Sequence, residues 1–115
     1  AMNVMVVTGV SYDSDLQKVE EVSLEVARGV IKDLPDALDV MDPYFGFDSF
    51  GDSNIGFWLF LQARDRLGSF TVTNELIKRL HGRFRDEGIE INYPDRQLVY
   101  DKGAPPVPIA MSDKG

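Results

Sequence analysis

The chain has 115 residues, with 19 acidic against 12 basic side chains and a formal net charge of −7. It has no cysteine and one histidine, His81, which excludes disulfides, thiolate metal sites, a cysteine nucleophile and multi-histidine metal centres. The acidic balance argues against nucleic acid and against an anionic lipid surface as partners, since both are gripped through clustered Lys and Arg.

The length suits one domain with a single core. The longest apolar runs, residues 4–7 and 55–61, fall far short of the ~20 residues of a membrane-spanning helix. No signal peptide is expected at the N-terminus.

Residues 3–12 read as a strand with Val4, Val6 and Val10 on one face and Met5 and Val7 on the other. Apolar residues on both faces mark a central strand. Asp13 or Ser14 is then expected to cap a helix whose stripe is Leu16, Val19, Val22, Val26, Ala27, Val30, Ile31 and Leu34, with Pro35 ending it. After a loop over residues 36–43, Tyr44 to Phe50 forms a short aromatic strand. Gly51-Asp52-Ser53-Asn54 is turn chemistry, and residues 55–63 complete a hairpin. Gly51 and Asp52 suit the positive φ values of a tight turn.

A second helix begins between Arg66 and Thr71 and runs to Glu87, with Leu76, Ile77, Leu80 and Phe84 as its apolar stripe and Gly88 as a left-handed C-terminal cap. Residues 89–101 contain a last strand, interrupted early by Pro94. The order strand, helix, strand, strand, helix, strand predicts an α+β, ferredoxin-like βαββαβ sandwich. Its four-stranded antiparallel sheet would carry both helices on one face, with the first and third strands central. The domain is assigned to residues 1–101. Residues 102–115, with Pro105, Pro106 and Pro108, read as a linker or docking tail.

Three motifs carry a family resemblance. Gly9-Val10-Ser11-Tyr12-Asp13-Ser14-Asp15 leads into the first helix, Phe50-Gly51-Asp52-Ser53 makes the hairpin turn, and Asp86-Glu87-Gly88-Ile89-Glu90-Ile91-Asn92-Tyr93-Pro94 leaves the second helix. At these spacings, and with Asp95-Arg96-Gln97-Leu98-Val99-Tyr100 following, the chain resembles the C-terminal cytoplasmic domain of the small-conductance mechanosensitive (MscS-type) channels from Val4 to about Tyr100. Asp95 stands where the family often has glutamine. The family's pore helices and intermediate β domain have no counterpart in this chain, which is therefore not expected to conduct ions by itself. The resemblance implies a non-catalytic assembly and vestibule domain on the cytoplasmic side of the cell membrane, working in osmotic regulation. Its partners would be identical subunits in a ring of seven and an upstream membrane domain. The alternative is a stand-alone ferredoxin-like domain that binds a ligand or protein.

The motif residues Asp13, Gly51, Asp52, Gly88 and Pro94 all have structural work as caps and turn formers. No catalytic residue, metal site or cofactor is expected. A phosphate cradle at the first helix would be repelled by Asp13 and Asp15. The carboxylate groups Glu20 with Glu21, Asp48 with Asp52, and Asp36, Asp39 and Asp42 read as solvated surface. His81 has no nucleophile or orienting acid in a triad pattern. Residues 56–60, Gly-Phe-Trp-Leu-Phe, share the aromatic character of an RNA-binding strand, but Ile55 stands where a basic residue is needed.

The aromatic hairpin is the informative feature. Phe57, Leu59 and Leu61 alternate with Trp58 and Phe60, and Phe45 and Phe47 with Tyr44 and Phe50. Two helices cover one sheet face only, so Tyr44, Phe50, Trp58 and Phe60 are expected on an uncovered face that serves as an interface. Charge is also uneven. Residues 13–33 carry six acidic and three basic side chains, and residues 64–87 carry six basic and four acidic. That asymmetry suits either pairing between the helices or head-to-tail contact between subunits.

Overall fold

The structure is a computed structural model that describes residues 1–91. Its elements are β1 (Met2–Ser11), α1 (Leu16–Asp33), β2 (Tyr44–Phe50), β3 (Asn54–Ala63) and α2 (Arg66–Asp86). The strands form an antiparallel sheet in the order β1-β3-β2. β1 and β3 pair along their whole length, from Met2↔Ala63 to Ser11↔Asn54.

Among the described residues the sheet therefore has three strands, not the four expected. Beyond them, Ile91 makes an antiparallel bridge to Val10, and Ser11 N–H donates to the Glu90 carbonyl at 3.1 Å. The expected last strand beyond Ile91, with Pro94, and the tail at 102–115 lie outside the described residues.

β3 is central, and its strict alternation sets the layers. Ile55, Phe57, Leu59, Leu61 and Ala63 are buried, and Val4 and Val10 of β1 share their face. Against this face pack Val19, Val22, Val26 and Val30 of α1 and Val72, Leu76, Leu80 and Phe84 of α2, in one continuous core. Ile77 was expected in the α2 stripe but is 48% exposed, and Val72 takes its place. The stripe runs Val72, Leu76, Leu80, Phe84 at steps of four, which leaves Ile77 about 100° around the helix from Leu76.

The cap of α1 is Asp15, whose Oδ1 accepts from Lys18 N–H at 3.3 Å. Asp13, expected in that role, sits inside the preceding turn: its own N–H donates to Ser11 Oγ, and Ser14 N–H donates to the Ser11 carbonyl. It lies two residues too early for its side chain to reach the orphan amides of the first helical turn. Leu34, in extended conformation ahead of Pro35, ends α1.

α2 starts on Asp65, whose Oδ1 accepts from Gly68 N–H at 2.7 Å. It ends as expected at Gly88, with φ 73°. Gly88 N–H donates to Arg85 C=O, and Ile89 N–H reaches back to Phe84 C=O at 2.8 Å. This double closure is the Schellman arrangement, and buried Ile89 supplies its hydrophobic contact.

Gly51 behaves otherwise than expected. Gly88 is the glycine with positive φ among the described residues, so Gly51 is not needed for a left-handed turn. Its N–H donates to Asn54 C=O at 2.7 Å, and an added Cβ would collide with the Asn54 side-chain oxygen. Close approach, not backbone handedness, is what excludes a side chain there. Asp52 is exposed in the same turn.

Candidate interaction surface

Register defines the face of the sheet turned away from the helices. Val7 pairs with Trp58, which pairs with Gly46; Met5 pairs with Phe60, which pairs with Tyr44. Cross-strand partners project to the same side, so these six positions form two adjoining rows on one face. One flanking row is Asn3 and Gln62, joined by a 3.1 Å hydrogen bond from Gln62 Nε2 to Asn3 Oδ1. The other is Gly9, Gly56 and Ser49. The patch is apolar and itself free of charge; polar or small residues bound it, the Asp48 carboxylate lies at its Gly56 edge, and no described element covers it.

Within it, Tyr44 and Phe60 stack with centroids 6.2 Å apart and planes 19° from parallel. The Trp58 indole lies across the backbone at Gly46: a Cβ built there would stand 2.6 Å from Trp58 Cζ2. This side-on packing leaves Trp58 and Phe60 half-buried, while Met5, Val7 and Tyr44 are more than half exposed.

Of the four residues expected on this face, Tyr44, Trp58 and Phe60 come together and Phe50 does not. The register of β2 shifts between Phe47 and Ser49, where Asp48 is the extra residue. Such a bulge reverses the alternation after it. Phe50 thus pairs with Ile55, on the helix-side parity. It lies at the end of the sheet, 82% exposed and stacked on Tyr12. Met5 and Val7 complete the patch. Their parity was readable in β1, but their neighbours on β3 were not. Gly46 gave no sequence signal.

The two helices are joined by ion pairs. Arg79 reaches Asp33 at 2.9 Å and Glu75 at 2.8 Å; Arg83 reaches Glu25 at 2.9 Å and Glu87 at 3.3 Å; Lys18 reaches Glu87 at 3.2 Å. Hydrogen bonds from Lys18 and then Arg83 hold the Glu87 carboxyl below its ordinary range, and Arg79 does the same for Glu75. Pairing between helices thus uses part of the charge asymmetry seen in the sequence.

Among the described residues no three His, Asp or Glu side chains converge as a metal site would require. His81 is exposed, at the rim of a groove of about 600 Å³ between α2 and β1 that Val6, Thr8, Leu80 and Ile91 also line. No described helix is long and apolar enough to cross a membrane.

Residues 4–91 match the family described as mechanosensitive ion channel MscS, C-terminal. With most of its length matched, the chain belongs to the MscS family of mechanosensitive ion channels, in the part that forms their C-terminal domain. It is 31% identical over 91 residues to a small-conductance mechanosensitive channel of Helicobacter pylori (strain UM084), covering 76% of this chain and 30% of that protein.

The solved structure of Helicobacter pylori MscS in its closed state superposes with a TM-score of 0.63 at 26% identity, over 87% of this chain and 38% of that one. Arabidopsis thaliana MSL1 shares the fold at a TM-score of 0.57 and 11% identity, over 82% of this chain and 35% of that one. The chain thus spans about a third of the length of the channels it matches.

Proposed function

We propose that this domain is a non-catalytic assembly and vestibule module on the cytoplasmic side of an MscS-type channel, held in a ring of identical subunits below an upstream membrane domain. The observation that carries this is the charge-free apolar patch of Met5, Val7, Tyr44, Trp58 and Phe60, which nothing among the described residues covers. A continuous apolar patch with a polar rim gains free energy by packing against protein. Family membership supports the reading, and the resemblance implies a channel of seven identical subunits side by side.

The test separates assembly from folding. Trp58→Ser in the intact protein should lower the subunit number measured by native mass, while shifting stability by no more than ~1 kcal/mol. Phe57→Ala, one residue away but fully buried, should cost ~3–5 kcal/mol. A Trp58→Ser protein that keeps its full subunit number refutes the assignment of this face.

A further inference from the structure

Two features of the molecule are complementary in charge, each with an exposed aromatic side chain, yet lie on separate elements. The first is the hairpin tip. Tyr12 and Phe50 stack with centroids 6.4 Å apart and planes within 2° of parallel, and Tyr12 Oη–H donates to the Gly51 carbonyl. This fixes a rigid aromatic knuckle whose outer ring, Phe50, is 82% exposed. Asp13 and Asp52 lie beside these rings in the chain, both exposed and neither in an ion pair among the described residues. Residues 2–17 and 44–63, which build this end of the sheet, contain no Lys or Arg.

The second is the solvent side of α2. Leu67, Phe70, Asn74, Lys78 and Arg85 follow at helical spacing and share one stripe opposite the buried one. Leu67 is 76% exposed and Phe70 62%. No carboxylate falls on this stripe. Arg85 has no ion pair among the described residues, and Lys78 has only Glu75 of its own helix, at 3.7 Å.

We propose that the acidic Tyr12–Phe50 knuckle of one copy of this chain docks on the basic, apolar outer stripe of α2 in the next copy. Phe50 packs on Leu67 and Phe70, and Asp13 and Asp52 face Lys78 and Arg85. Opposite charge on the two surfaces favours this pairing and disfavours knuckle against knuckle or stripe against stripe. Because the surfaces differ, the contact is head-to-tail, the geometry that closes identical subunits into a ring. The inference rests on the assembly reading above and adds to it a second contact, distinct from the Trp58 face.

The chain has no cysteine of its own, so introduced pairs can be read by oxidative cross-linking. The intact protein carrying Phe50→Cys together with Phe70→Cys should give a ladder of covalent oligomers, while either substitution alone gives none. Asp52→Lys added to this pair should weaken the ladder roughly tenfold through like-charge facing, and adding Lys78→Glu with Arg85→Glu should restore it.

Covalent dimers from Phe50→Cys alone would mean a knuckle-to-knuckle contact and overturn the proposal. No ladder from a protein that native mass shows to be oligomeric would overturn this contact and leave the assembly reading intact. A monomer by native mass would remove both.

Discussion

At the scale of single residues, the close contacts decide more than residue type does. Gly46 exists to let Trp58 lie flat, since a Cβ there would stand 2.6 Å from the indole. Gly46→Ala should lift the ring off the sheet at a cost of about 1 kcal/mol, the low end for overpacking. Trp58 is the chain's one tryptophan, so its fluorescence should shift to the red in this variant, and the urea midpoint should fall. Asp13 and Asp15 make a matched pair. Asp15 holds a helix amide and Asp13 does not. Asp15→Ala should therefore cost ~1 kcal/mol, the worth of a cap, and Asp13→Ala close to nothing. Thermal or urea denaturation of the two variants side by side checks this, and equal losses would contradict the capping geometry.

At the scale of elements, α2 carries two stripes with different tasks. Leu76 is fully buried and Leu67 mostly exposed. Leu76→Ala should cost ~2–5 kcal/mol through the cavity it leaves, whereas Leu67→Ser should leave the denaturation midpoint almost unchanged. The helix pair also sets an acid response. Glu87 bridges Lys18 of α1 and Arg83 of α2, and these partners lower its carboxyl below the ordinary value of 4.5. A carboxylate depressed in the folded state adds stability that is present above its unfolded value and is lost as pH falls through the folded one. Stability should thus decline from about pH 4.5 downward, and Glu87→Gln should flatten that decline. The group is partly exposed, so solvent screening keeps the effect small. A denaturation midpoint followed from pH 7 to 3 in parent and variant reads it, and parallel curves would remove Glu87 from the account.

At the scale of the whole molecule, one sheet face is closed by helices and the other is open. β3 binds the layers together: its odd-numbered residues from Ile55 to Ala63 fill the core, and Trp58 and Phe60 supply the open face. In the assembly proposed above, the open sheet face and the acidic knuckle would each meet a neighbouring surface. Contacts of the Trp58 face, being charge-free, should survive high salt. Those of the acidic knuckle should weaken, because salt screens exposed charge within about 10 Å at 0.1 M and less above it. Cross-linking through Phe50 and Phe70 in 0.05 M and 1 M salt, beside cross-linking at Tyr44, distinguishes the two surfaces. Equal salt sensitivity would contradict the division.

The family came from the resemblance carried by three motifs. Local pattern alone determined the order of the five described elements, both helical stripes in outline, the alternation of β3 and the Gly88 cap. Each of these follows from spacing along the chain, with periods of 3.6 and 2 that a reader can count. Tertiary structure decided the rest, because it depends on which strand lies beside which and in what register. The Asp48 bulge moved Phe50 off the apolar face, and no composition signal marks an extra residue in a strand. Pairing with β3 brought Met5 and Val7 beside Phe60 and Trp58 across more than fifty residues of sequence. The face that α2 turns to the core contains Val72 and not Ile77, although both fit an apolar helical stripe. Gly51 looked like a turn former and proved to be room for Asn54, since only the folded hairpin shows what lies against the backbone.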